Sequence, residues 1–310
     1  MIMQTPFRLH DFILVVVVIL SMTVAILFPD FGARFQALPV YCLMINFFLS
    51  CLSIDLADVW KALRGHIREI LGFTALKLAL LPVVLYGVFY AVAPDYALAA
   101  LLLTGVSTGV VSPMISNMVK GNSSLVLVVV VITSALAPFT LPALIKIVIA
   151  KDAAISFLAM FKMLAMVIFI PILIVEIIRY LLPRLVAPIL KIQFPVALLM
   201  FALINLGVFY RWAPFFKEEP SAILMATVVV FVLAAIYCAV GIFFFRKGPL
   251  HNHLAGAVML GNINNVLVIV FSSEFFGPVE PLVAAIYMIP FFVIVIPLRY
   301  YRYRKTRHLK

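Results

Sequence analysis

The chain has 310 residues, of which 66% are hydrophobic and 11% charged, with a mean hydropathy of +1.24. Soluble domains run about 45–50% apolar and about 25% charged, and a water-soluble fold of this size has too much surface for its volume to hide so much hydrocarbon. A net charge of +11 would suggest nucleic acid in a soluble protein; here its placement along the chain matters more, and no nucleic-acid partner is expected.

A bilayer-crossing helix takes about 20 apolar residues, roughly 30 with a short loop, so this length accommodates about ten. Transmembrane β-barrels read as alternating segments of about ten residues, whereas these apolar runs are unbroken. The expected fold class is an all-α polytopic membrane protein with the lipid bilayer as its surroundings. The first run, Phe12 to Phe28, leads into Phe28-Pro29-Asp30-Phe31-Gly32 rather than a small-x-small cleavage site, so it reads as a retained helix. Runs follow near 38–54, 70–92, 97–119, 124–149, 157–182, 195–212, 222–245, 253–275 and 280–298, ten transmembrane helices in all. Between the second and third, Asp55 to Glu69 has mixed charge, with Leu56, Val59, Leu63 and Ile67 at helical spacing. That pattern predicts a short amphipathic helix on the membrane face.

Of the 23 Lys and Arg residues, 16 fall at the N-terminus, in the even-numbered connections and in the C-terminal tail. Four, Arg34, Lys151, Arg211 and Lys217, fall on the other side. The bias puts both termini in the cytoplasm of a cell (inner) membrane and requires an even number of spans. The basic tail then serves as a topology determinant and a contact for anionic lipid. Within the spans lie Lys146 and Lys162, which read as snorkelling to the outer interface, and Lys77, for which snorkelling to the cytoplasmic face is the alternative to the functional role that an intramembrane ionisable residue takes by default. Glu176 and Arg179 form an i,i+3 pair. Cys42, Cys51 and Cys238 sit in apolar runs without metal spacing, and His251-Asn252-His253 offers too few ligands for a metal site. No cofactor is expected.

The fourth run reads Thr104-Gly105-Val106-Ser107-Thr108-Gly109-Val110-Val111-Ser112-Pro113-Met114-Ile115-Ser116-Asn117, and the ninth Gly261-Asn262-Ile263-Asn264-Asn265. Glycines, hydroxyls, a proline and amides at mid-span are costly in lipid unless they face protein or water. They occupy corresponding places if the chain divides into 1–155 and 156–310, five spans each. An odd number per half makes the halves inverted repeats, and paired interrupted spans mark a transporter's midplane site. The break is expected at Ser112–Asn117, crossing one at Gly261–Asn265. Thr108, Ser112, Ser116, Asn117, Asn262, Asn264 and Asn265 are the candidate substrate-binding residues. An intramembrane enzyme would need a His/Asp/Glu or Ser–His constellation within the spans, and none appears, so no enzyme is expected.

Phe28-Pro29-Asp30-Phe31-Gly32, the run from Phe47 through Leu52-Ser53-Ile54-Asp55-Leu56 to Trp60-Lys61-Ala62-Leu63, and Lys120-Gly121-Asn122 followed by Ala137-Pro138-Phe139-Thr140-Leu141-Pro142 resemble the bile acid:sodium symporter family. The likeness extends over most of the chain and is weaker in the second half. It implies a five-plus-five inverted repeat with panel and core domains, two crossing broken helices, and a monomer moving small or amphipathic organic anions by alternating access with sodium. The resemblance also implies where sodium ligands should fall. The family's ninth-span Glu falls on Met259, its third-span Gln on Lys77, its Ser-Asn on Ser112-Pro113 and its two hydroxyls on Val126 and Val130. Only Ser112 keeps a suitable oxygen, so a sodium ion is not expected at the family's sites. Lys77 is then a built-in cation, and the alternative is a proton-coupled or uncoupled carrier on the same fold.

Overall fold

The computed structural model describes residues 9–54, 56–148 and 156–307. Arg8, Asp55, Lys151 and Lys310 lie outside the described residues, as does the expected boundary between halves near residue 155. Helical segments coincide with the apolar runs. The chain opens with α1 (Leu9–Leu27), a short α2 (Pro29–Ala33) and α3 (Pro39–Leu52). It continues into α4 (Leu56–Ala75), a π-helical turn (Leu76–Leu80) and α5 (Leu81–Val92). After a turn come α6 (Ala97–Gly105), α7 (Ser112–Val119) and the long α8 (Ser123–Val148). Next are α9 (Phe157–Leu181), α10 (Val186–Lys191), α11 (Gln193–Phe209), α12 (Ala213–Glu218) and α13 (Ser221–Phe244). The described chain closes with α14 (Leu250–Gly261), α15 (Asn265–Phe275), α16 (Val279–Ile286), α17 (Met288–Val293) and α18 (Val295–Arg307).

Among the described residues six helices are long and apolar enough to cross a membrane, the longest Val279–Arg307, with shorter apolar helices at Val16–Leu27, Pro39–Leu52 and Asn265–Phe275. Large hydrophobic side chains stand exposed along α1, α5, α9 and α13. Exposed hydrocarbon on that scale is a lipid-facing surface, because water would not tolerate it.

One expectation changes. The amphipathic stretch is not a separate surface helix: α4 runs without interruption through the π turn into α5, because no residue from Leu56 to Leu81 leaves helical geometry. Leu81-Pro82 then opens α5, where proline's missing N–H falls in the first turn. The basic tail is also helical. Arg299 Nη2 donates to the Met118 carbonyl at 3.2 Å and Arg302 Nη1 to that of Val119 at 3.0 Å, so α18 caps the C-terminal end of α7. Arg179 does the same for α3. Besides pairing with Glu176 at 3.4 Å as expected, it donates to the carbonyls of Cys51, Leu52 and Ile54. Long cations reaching the last carbonyls of a helix satisfy groups that have no intrahelical partner.

A close backbone approach joins α13 to α14. A Cβ on Gly241 would land on the Gly256 carbonyl, and one on Gly256 on that of Gly241, so these helices touch through bare backbone. Gly241→Val is expected to cost about 1–3 kcal/mol or more by overpacking and to lower the melting temperature of detergent-purified protein. Gly87→Ala, with nothing within 4 Å of the added methyl, should leave it unchanged or raised.

Candidate functional site

The fourth and ninth apolar runs are each interrupted, and the interruptions meet. Residues 106–111 separate α6 from α7, and residues 262–264 separate α14 from α15. The first break therefore comes earlier than Ser112–Asn117, the stretch expected from the sequence. Ser112 to Val119 is helical because Pro113 sits in the first turn, where a proline starts a helix rather than breaking it. The extended segment instead takes the glycine and hydroxyls just before it.

Where they cross, the two segments exchange backbone bonds. The Gly109 N–H donates to the Asn262 carbonyl at 2.7 Å and the Asn264 N–H to that of Ser107 at 2.9 Å, around an antiparallel bridge between Thr108 and Ile263. Gly109 is required here, since a Cβ would stand 2.8 Å from the Ile263 carbonyl oxygen. Side chains satisfy further freed groups. Thr133 on α8 accepts from the Thr108 N–H at 3.1 Å, and Thr108 donates its hydroxyl to the Met259 carbonyl at 2.8 Å. Ser112 donates to the Asn262 carbonyl at 2.9 Å, and Tyr287 to that of Gly261 at 2.7 Å. Asn262 Nδ2 reaches the Phe291 carbonyl at 2.8 Å.

Of the candidate residues, Thr108, Ser112, Asn262, Asn264 and Asn265 are brought together here. Asn264 caps α15 by accepting from the Leu267 N–H at 3.3 Å, while the buried Asn265 Nδ2 and Asn262 Oδ1 have no hydrogen-bond partner. Ser116 and Asn117 are placed elsewhere, at the far end of α7. Ser116 packs against Gly121, and the exposed Asn117 accepts a bond from Ser123 at the start of α8. That end is tied to α14 by a bond of 3.0 Å from Asn122 Nδ2 to Asn252 Oδ1. His253 faces Tyr301 at 3.1 Å, and no group of His, Cys, Asp and Glu among the described residues could hold a metal ion.

Lys77 is fully buried, on the π turn. Met259, Val126 and Val130 are buried as well and present a thioether and two isopropyl groups, and Pro113 offers no side-chain oxygen. Sequence reasoning missed Thr133, Tyr287 and the Thr104–Tyr237 hydroxyl pair at 2.7 Å. The available signal was polar tips inside apolar spans, since buried tyrosine and threonine seek partners.

An all-α membrane protein with two interrupted helices bonded to each other has the form of a membrane transporter. The model of the sodium bile acid symporter family matches residues 40–219, more than half of the chain, from within α3 to just past α12. The chain belongs to that family. Comparison with curated proteins finds no match.

Gly109→Ala would part the bridge, and Thr133→Val would leave the Thr108 N–H buried without an acceptor, at a cost of about 1–3 kcal/mol. Both variants should unfold at lower temperature than the wild type. Thr140→Val should not, because the Thr140 hydroxyl bonds only its own helix at Leu136.

Proposed function

We propose that the chain is a secondary transporter of small or amphipathic organic anions, working by alternating access around the crossing. The observation that carries this reading is the crossing itself. Two helices give up internal bonds to meet as extended segments, and beside them Ser107 Oγ, Asn262 Oδ1 and Asn265 Nδ2 are buried without partners. Unsatisfied polar groups buried in apolar surroundings are expensive, and a solute that bonds them offsets the cost.

On this reading the chain crosses the membrane ten times as two inverted repeats, residues 1–155 and 156–310, with both termini cytoplasmic in the inner membrane. The matched interruptions of α6–α7 and α14–α15, one per half, support it, as does the bias of positive charge. Asn265 contributes more to solute binding than Asn264, which is spent on the α15 cap. The protein acts as a monomer.

The residues present do not fit sodium in the places the family resemblance implies. A hard cation needs oxygen ligands, and Met259, Pro113, Val126 and Val130 supply none from their side chains. The Ser112 hydroxyl, which gives its proton to the Asn262 carbonyl, is the one side-chain oxygen at those positions, too few for such an ion. We therefore assign transport without a sodium ion at those positions, whether uncoupled or driven by protons.

The test is uptake of radiolabelled organic anions into proteoliposomes with sodium replaced by potassium or choline. Undiminished uptake without sodium is expected, and strict sodium dependence would refute the coupling assignment. Asn265→Ala should reduce uptake sharply while leaving expression and monodispersity intact. Asn264→Ser, which keeps a capping oxygen, should reduce it far less.

A further inference from the structure

We infer that Lys77 anchors an oxyanion-binding site at the first break, where the negative end of a carboxylate or sulfonate solute is held. The inference rests on the transport reading and gives it a ligand chemistry.

Its starting point is a charge with no answer. Lys77 is 0% exposed and its Nζ has no hydrogen-bond partner. Among the described residues the only other buried side chain with a formal charge is Glu280, at the start of α16. That position lies beyond the far end of α15, which at about 1.5 Å per residue puts about 15 Å of helix between Asn265 and Phe275. An ammonium is not normally left in such a place without an anion.

Three contacts fix the depth of Lys77. A Cβ on Gly105 would stand 3.6 Å from Pro82 and 3.2 Å from Leu141, so α5, α6 and α8 are level there. Thr108 meets Thr133, so passing from Gly105 into the break is passing back along α8 by eight residues. α5 is joined to α6 by the short turn at residues 93–96 and runs antiparallel to it, so the same step leads back from Pro82 toward Lys77. Eight residues of α8 are about 12 Å, and the five from Pro82 to Lys77 about 7.5 Å. Lys77 thus lies level with Val106–Thr108, on a π turn that packs against both α6 and α8. The π turn explains its aim: an i→i+5 repeat turns Lys77 toward the face that carries Pro82.

Other unanswered donors occur at this depth. Thr74 Oγ1 lies one turn before Lys77, Ser107 Oγ is in the break, and Ser134 Oγ is two turns before Leu141 on the same face of α8. All three are buried and without a partner. An ammonium and three hydroxyls form a donor set, so the ligand they suit is an anion with several acceptor oxygens. All are shielded from solvent in this conformation, so entry requires the crossing to open.

The experiment measures thermal unfolding of detergent-purified protein in potassium pyruvate or potassium taurocholate against potassium chloride at equal ionic strength, beside proteoliposome uptake of the same two solutes. At least one of the two should raise the wild-type melting temperature above its value in chloride, since a ligand that binds only the folded state stabilises it. Lys77→Met should melt higher than wild type in chloride, having lost an unpaired buried charge, yet show neither that shift nor uptake above empty liposomes. A merely structural lysine predicts lower stability with the shift intact. Should Lys77→Met fail to fold, Ser107→Ala keeps the ammonium and should halve the shift or more. No wild-type shift with either solute, equal stabilisation by chloride, a shift that survives Lys77→Met, or full shift in Ser107→Ala would each overturn the site. A shift that Lys77→Met abolishes, in a wild type that transports neither solute, would uphold the site and reject the transport reading. Uptake that survives Lys77→Met would do the reverse.

Discussion

A backbone that leaves the helix inside an apolar interior must find new partners for its N–H and C=O groups, and this fold depends on how that is done. Each unsatisfied group would cost several kcal/mol. The α6–α7 and α14–α15 breaks solve the problem reciprocally, Gly109 bonding to Asn262 and Asn264 to Ser107, so neither break is affordable without the other. This explains why the extended segments are short: a two-strand crossing of a few residues exhausts the partners each side can offer. It also explains the glycine at 109, where the approach of the Ile263 carbonyl leaves no room for a side chain.

The same constraint organises what surrounds the crossing. Thr133, Tyr287 and Thr108 each answer a backbone group at a break, and Asn264 answers the N-terminus of α15. At the helix ends the task passes to long cations, Arg299 and Arg302 at the end of α7 and Arg179 at the end of α3. The basic tail, which the sequence marks as an orientation signal, therefore also has a structural role: it closes carbonyls at the end of one limb of the crossing.

The apolar runs and the two interruptions were legible because lipid imposes a length on helices and a penalty on mid-span polarity. Asn262, Asn264 and Asn265 could be found from that penalty alone. The exact limits of the first break could not, because Pro113 reads equally well as a breaker and as a helix start, and only the partner strand decides. Ser116 and Asn117 share the composition of the crossing but belong to the turn that follows α7, a distinction that composition does not carry. The continuity of α4 with α5 was hidden for a different reason. The change from mixed to apolar composition near Ile70 marks where the surroundings of the helix change, whereas the backbone follows local geometry, which stays helical through the π turn.

The chemistry at the crossing is consistent across positions that are far apart in sequence. The family resemblance implies oxygen acceptors where this chain has Met259, Val126 and Val130, and a thioether and two isopropyl groups offer a hard cation no oxygen. The groups left unanswered near the first break, Lys77 with the hydroxyls of Thr74, Ser107 and Ser134, are instead able to donate. Replacing acceptors by hydrocarbon while placing an ammonium nearby reverses the sign of charge that the surroundings favour. Two unit charges 4 Å apart interact by about 4 kcal/mol at an effective dielectric of about 20, so a cation bound beside Lys77 would be repelled by that order and an anion attracted. A tethered cation differs from a bound one in that it cannot leave with the solute. On the proposed transport reading, the work of moving an anion would come from a gradient of the solute itself or of protons, and the lysine would make the empty site unfavourable and the filled one neutral.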